Sequence, residues 1–547
     1  MPILNWLTRD DDIRAARRVP YRLLEETSDL SAGDPATGNM LIQGHNLDAL
    51  KALLPFYAGQ VKCIYIDPPF NTGQAFEHYD DNIEHSIWLG MMYARLESLR
   101  DLLAPNGTIA IHLDDEELAY LIVILDEVFG RRNRINICTF RQGAAVGHKA
   151  INPGVVTVSN YIVIYARDKA NGWKPNRVFT RRERDSRYAS YIENFEDDYA
   201  EWRLIPLSQG FAQQTGETPR EQKKRLGDDY EAELDRFVLA NPDRVVQPVP
   251  PAYDGVGQET RDLIDKSRNE PDRVFLQIRQ GYSNIYIRNG KRWLFYREKL
   301  KEIDGELVSG EPLTNIWDDL LSNNLHNEGG VSFPKGKKPE ALIKRVLELF
   351  TAPGDLVLDS FLGSGTTAAV AHKMGRRYVG IEMGEHAVTH CVPRLKKVIE
   401  GEQGGISESV GWKGGGGFRF YRLGPPVFDE EGHIRPDIAF PLLAAHIWFS
   451  ETATPRTTTR RTPFLGIYNG RAFALLYNGI LGDKRPEGGN VLTRATLALI
   501  RAAIAKADPS FAGPVTVYGE QSRITAPTLE REAVTFKQTP YDVKARR

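Results

Sequence analysis

Long apolar runs are missing from this 547-residue chain, and no stretch approaches the about 18 uninterrupted apolar residues of a membrane-crossing helix. Cysteine is scarce too. Cys63, Cys138 and Cys391 stand far apart, with no CxxC pair and no histidine cluster beside them. That argues against a disulfide framework or a structural zinc, and no metal site is expected. The start, Met1 to Arg18, is rich in Asp and Arg and lacks the apolar stretch of a signal peptide, so the expected location is the cytoplasm. The net charge of -2 does not by itself point to nucleic acid, and no repeat of fixed period is present.

What is present is the composition of an ordinary globular protein, 41% hydrophobic and 26% charged, long enough for roughly two to four domains. Basic charge is local. From Arg131 to Ser190 there are 13 Lys or Arg against three acids, after which acids return. Such a stretch suits phosphate contact, and equally a solvated charged face.

Residues 40–130 alternate between strand and helix patterns. Apolar runs at Met40 to Gln43, Lys62 to Ile66 and Thr108 to Leu113 are separated by helical spacing at Asn46 to Leu54 and Ile83 to Leu103. The same grammar returns at 340–400, with strands at Leu356 to Asp359 and Tyr378 to Glu382. Each block alone has too few strands for an open sheet, so both are expected to build one doubly wound parallel sheet. The region between lacks this rhythm and reads as an insert. It contains a hairpin signal, Asn289-Gly290 between apolar runs. Tyr282, Tyr286, Trp293 and Tyr296 interleave there with Arg279, Arg288, Lys291, Arg292 and Arg297, which suits stacking on bases or packing on a core. The expected divisions are 1–39, an N-terminal extension; 40–140 and 331–400, two halves of the sheet domain; 141–330, the insert; 401–423, a glycine-rich connector; and 424–547, a small α+β domain.

Two motifs carry chemistry. Asp359-Ser360-Phe361-Leu362-Gly363-Ser364-Gly365-Thr366 closes a strand and opens a helix, where glycines let a ligand approach the backbone and the helix start supplies donors. Gly363, Gly365 and Ala368 fit a dinucleotide-binding pattern, with Glu382 placed for a ribose. This motif alone leaves a nicotinamide cofactor, hence an oxidoreductase, and S-adenosylmethionine both open. The second motif, Asp67-Pro68-Pro69-Phe70, follows a strand. Its prolines hold the backbone extended and remove two N–H donors. The exocyclic amino group of a base is a poor nucleophile because its lone pair is delocalised into the ring. A carboxylate on Asp67 and the carbonyl of Pro68 could accept its two hydrogens and aim that lone pair. The base must first leave the duplex and stack on an apolar partner, a role for Phe70.

Together these segments resemble the amino-methyltransferase family, whose D-P-P-[YF] and F-x-G-x-G motifs stand at Asp67 to Phe70 and Phe361 to Gly365. The catalytic motif precedes the cofactor motif with an insert between, which resembles the circularly permuted β group. The resemblance is greatest to modification subunits of type III restriction systems, over about residues 40–423. It extends to His112-Leu113-Asp114-Asp115-Glu116, Asn315-Ile316-Trp317 and Trp412 to Gly416. It implies an α/β, permuted, doubly wound Rossmann-like methyltransferase sheet that binds S-adenosyl-L-methionine through Asp359, Phe361, Gly363, Gly365, Thr366 and Glu382. It also implies that Lys338, in the segment from Phe333-Pro334-Lys335 to Pro339 and Leu342, helps wrap the methionine end. The insert would be the target-recognition domain for double-stranded DNA. The expected partners are a second copy of the chain and a separate helicase-nuclease restriction subunit. An acid at position 67 goes mostly with adenine N6 in this family, with cytosine N4 as the alternative. Two departures are Phe70, where tyrosine is commoner, and His45, where the family usually has aspartate.

Overall fold

A computed structural model describes residues 3–71, 84–143, 154–320, 325–333, 336–428, 435, 438–456, 458, 460–481 and 489–539. Ile83, Pro334 and Lys335, named above, lie outside them. Two compact units result: residues 1–176 with 314–547, and residues 177–313.

The first unit is organised on one large sheet. Its strands lie in the order Arg22–Glu26, Gly417–Pro426, Met40–Gln43, Arg377–Glu382, Leu356–Asp359, Val61–Ile66, Leu103–Leu113, Ser159–Ala166, Arg134–Arg141 and Ile316–Trp317. The six from Gly417–Pro426 to Leu103–Leu113 are mutually parallel. At the centre of the sheet both faces are covered, so Leu356–Asp359 and Val61–Ile66 read as continuous apolar runs rather than alternating ones. Val61–Ile66 has only Lys62 outside the core. Helices Asn46–Tyr57 and His85–Leu102 bury Leu50, Leu53, Trp88, Met92, Leu96 and Leu99 in this core.

The sheet reaches beyond the divisions expected from rhythm. Ser159–Ala166 pairs antiparallel with both Leu103–Leu113 and Arg134–Arg141, so the sheet domain continues past residue 141. Ile316–Trp317 returns to it before residue 331. The expected connector supplies an inner strand, Gly417–Pro426, and the expected N-terminal extension supplies its antiparallel neighbour. Gly417–Pro426 pairs with a strand hundreds of residues away and mixes glycine, proline and arginine into its run, which leaves no local pattern.

The tail also differs in kind. Arg471–Leu475, Val515–Gly519 and Val534–Gln538 run parallel and are joined through helices Arg494–Ala507 and Ala526–Arg531, so strands and helices alternate instead of segregating as in an α+β domain. Helix Phe440–Thr452 places Leu443, Ala444 and Ile447 in the main core. No helix among the described residues is long and apolar enough to cross a membrane.

The second unit contains a six-stranded antiparallel sheet and a three-stranded one. Asn289 and Gly290 take φ of +47° and +72° between Ile285–Arg288 and Lys291–Phe295, the hairpin that the dipeptide predicts. Trp293 and Tyr296 are buried and Tyr286 stacks on Trp202, so these aromatics pack the unit. Tyr282 is exposed beneath the Arg279 guanidinium. Much of the basic stretch is engaged in ion pairs within the unit: Arg181 with Glu306, Arg184 with Asp235 and Arg187 with Asp185.

Back in the first unit, a buried ion network joins three helices. Glu340, at the start of Glu340–Phe350, pairs through Oε1 with Arg394 at 2.7 Å and through Oε2 with Lys373 at 2.8 Å, all three side chains being fully buried. Removing one member of such a network strands the others in a low dielectric. Glu340→Ala should therefore cost about 3–5 kcal/mol of stability, read as a lowered urea midpoint. An unchanged midpoint would refute that role for Glu340.

Candidate active site

Strands Leu356–Asp359 and Val61–Ile66 are neighbours and parallel, with Leu358 opposite Ile64, so their C-terminal ends open side by side. From the first the sheet continues one way to Arg377–Glu382, and from the second the other way to Leu103–Leu113. Open α/β sheets bind ligands in the crevice at such a switch point.

The glycine loop closes the first strand. Gly363 and Gly365 have φ of +56° and +82°, a region that suits glycine, and helix Thr366–Lys373 begins immediately after. Asp359 braces the loop from below: one carboxylate oxygen accepts from the Phe361 N–H at 2.9 Å and the other from Thr367 Oγ1 at 2.6 Å. Full burial nonetheless pushes its pKa up to about 7, against those hydrogen bonds. Glu382 ends the next strand and accepts from the backbone N–H groups of Gly363 and Met383, both at 2.7 Å, while His386 Nε2 lies 2.9 Å away. Burial works to raise this carboxyl, but His386 and the backbone donors hold it below the usual range. Beside these fixed carboxylates Phe361 is half-buried and Met383 exposed. An open apolar edge next to a helix start fits a nucleoside-bearing cofactor.

Asp67, Pro68, Pro69 and Phe70 close the second strand. The Pro69 carbonyl accepts from the indole of buried Trp88 at 2.8 Å, which anchors the rigid turn to helix His85–Leu102. Asn71 then takes a left-handed φ of +63°, and its amide donates to Glu117 at 2.8 Å. Lys338 Nζ pairs with Asp67 Oδ2 at 2.5 Å and lies 5.1 Å from the centre of the Phe70 ring. The structure thus places this lysine, expected at the methionine end of a cofactor, against Asp67 and Phe70.

A row of buried polar groups runs behind Asp67 across three strands. The Asn160 amide, assigned as donor, meets His112 Nε2 at 3.0 Å. The ring proton then sits on Nδ1, which donates to Tyr65 Oη at 3.0 Å and lies 3.8 Å from Asp67 Oδ1. His112 is fully buried, and burial followed by the charge of Lys338 keeps it neutral.

All the expected site residues therefore converge on the two strand ends. Sequence reasoning missed Asn46, Trp88, Asn160, His386 and Arg394, and it placed His112 in a family segment without a role at the site. Asn46 belongs to the Gly44-His45-Asn46 segment, where attention fell on His45. Its Nδ2 donates to the Ser360 carbonyl at 3.0 Å and its Oδ1 accepts from buried Arg95 at 2.7 Å. His45 itself lies 3.3 Å from Arg95.

The sequence profile described as DNA methylase, of N6/N4 type, matches residues 61–392, which includes both strand ends and the insert. The chain belongs to this DNA methylase family. That removes the oxidoreductase reading of the glycine loop. Relatives include the "Probable type III restriction-modification enzyme HindVI Mod subunit" of Haemophilus influenzae, 35% identical over 72% of this chain and 55% of that protein. The EcoPI Mod subunit of Escherichia phage P1 is 28% identical over 68% of this chain and 60% of its own length. The chain spans little more than half the length of these curated relatives. Among solved structures, the PvuII DNA methyltransferase (cytosine-N4-specific) aligns at 14% identity and a TM-score of 0.33, over 69% of this chain and 95% of that one.

In this methylase the charge state of Asp359 is measurable through stability. Its folded pKa of about 7 lies above the ordinary value of 3.8, so the native state holds the extra proton between them. The stabilisation is complete below the lower value and is lost as pH rises through the upper one. Asp359→Asn should flatten the fall in denaturation midpoint across that interval, and an unaltered slope would show that the group titrates normally.

Proposed function

We propose that the protein transfers a methyl group from S-adenosyl-L-methionine to N6 of adenine in duplex DNA, as the modification activity of a restriction-modification system. The observation that carries this is the juxtaposition at the switch point: a carboxylate followed by two prolines and an aromatic ring, one strand away from a glycine loop. The type III names of the relatives support the restriction-modification setting.

The chain's own groups divide the work. Phe361, Gly363, Gly365, Thr366 and Glu382 would hold the cofactor, which when bound supplies an electrophilic methyl group. Asp67 accepts one hydrogen of the target amine and the Pro68 carbonyl the other, which turns the nitrogen lone pair out of the ring. The Pro69 carbonyl already accepts from Trp88, so it is Pro68 that this role falls to. Phe70 stacks on the extruded base. Transfer is a direct displacement that depends on positioning and preorganised electrostatics, and it needs no covalent enzyme intermediate. Adenine is favoured over cytosine because the first residue of the motif is an acid.

The insert, 177–313 as a compact unit, is the natural candidate for target recognition. Duplex DNA, a second copy of the chain and a separate helicase-nuclease subunit complete the proposed set of partners, with the cytoplasm as the location.

Purified protein supplied with labelled cofactor and duplex DNA should yield N6-methyladenine on nucleoside analysis, and Asp67→Ala should lose activity by ~100-fold or more. N4-methylcytosine as the product would replace the proposed base. No label in DNA would overturn the reading.

A further inference from the structure

The two groups that a flipped base needs, the Asp67 carboxylate and the face of Phe70, are both engaged by one side chain in this structure. Lys338 Nζ donates to Asp67 Oδ2 at 2.5 Å and sits 5.1 Å from the centre of the Phe70 ring. An ammonium there resembles the target amine, since it too is a nitrogen with N–H donors directed at the carboxylate and placed against the aromatic face. A base stacked on Phe70 with its amine on Asp67 would need the same space.

The side chain of Lys338 can yield that space while its described neighbours in the chain stay anchored. Two residues on, Glu340 is locked into the fully buried network with Arg394 and Lys373. The preceding Lys337 is held by the carbonyls of Glu328 and Val331. The long, flexible stem of Lys338 starts from a fixed backbone and ends on the catalytic carboxylate.

Charge gives the contact a purpose. Asp67 faces buried Asp359, and its charge helps to push the Asp359 carboxyl up. His112 behind it is neutral, and Tyr65 on its own strand offers no charge. Lys338 is the cation paired with Asp67 Oδ2, and the pair orients the carboxylate that is to accept an N–H.

We propose that Lys338 is a positioning residue that stands in for the target amine, occupying the base site until the extruded base displaces its ammonium from Asp67 and Phe70. This rests on the methyl-transfer reading above and adds to it a step of exchange.

The test uses the full-length protein and the variants Lys338→Met and Lys338→Arg, after methylation by the unaltered protein has been established. Failure of that first measurement would count against the proposed function. With an active parent, Lys338→Met should bind duplex DNA carrying its target base roughly threefold to tenfold more tightly, because no ion pair has to be broken. Binding to the same duplex with an abasic target should not change. The acidic limb of the single-turnover pH profile should move up by roughly one unit as Asp67 loses its cation, and Lys338→Arg should restore it. Calorimetry with S-adenosylmethionine should show unchanged affinity. Weaker cofactor binding by Lys338→Met would make the lysine a cofactor ligand and overturn the proposal. So would an unmoved acidic limb, or equal effects on intact and abasic duplexes.

Discussion

The carboxylate of Glu340 organises the site. It is fully buried, yet its oxygens are met by Arg394, Lys373 and the backbone N–H of Ile406. A buried charge is tolerated only when partners of this quality replace water. Because they do, the start of helix Glu340–Phe350 is tied to the end of helix Thr366–Lys373 and to helix Val392–Ile399. Arg394 carries the constraint further, donating to Thr366 Oγ1 at 2.7 Å at the glycine loop. The segment bearing Lys338 and the loop expected to hold the cofactor are thus fixed by one set of charges.

Around that anchor the sheet supplies the geometry. Parallel pairing of Leu356–Asp359 with Val61–Ile66 sets the two functional turns one strand spacing apart, although Asp67 and Asp359 are nearly three hundred residues apart in the chain. Permutation of the chain order leaves this neighbourhood intact, because strand position is set by pairing and burial rather than by sequence order. Each turn is then made rigid by its own means. Prolines and the Trp88 indole hold one, and left-handed glycines with the Asp359 and Glu382 carboxylates hold the other.

Electrostatics distinguishes the acids. Among the described residues, buried Asp359 meets hydroxyl and backbone donors but no cation, and its carboxyl rises. Glu382 is as deeply buried but meets His386 and several N–H groups, and its carboxyl falls. Asp67 has a lysine on one oxygen and neutral His112 near the other. A brace, a loop clamp and the proposed hydrogen acceptor are made from similar side chains by their surroundings.

Residues whose function follows from local backbone were legible from the start. Pro68 and Pro69 restrict the chain wherever they occur, Gly363 and Gly365 permit a left-handed turn wherever they occur, and Asn289-Gly290 makes its hairpin from two residues. The apolar runs of the inner strands were legible for the same reason. A strand such as Gly417–Pro426 escaped notice because nothing near it in sequence marks its partner, Met40–Gln43. Tyr65, His112 and Asn160 share no spacing, and only the register of three strands brings them into one row. Lys338 reaches Asp67 across 271 residues of chain. Sequence by itself therefore determined the turns, the inner strands and the class of chemistry, which depend on local conformation and side-chain type. Tertiary structure alone decided which charges face each other, because burial and long-range pairing set the neighbours of every group at the site.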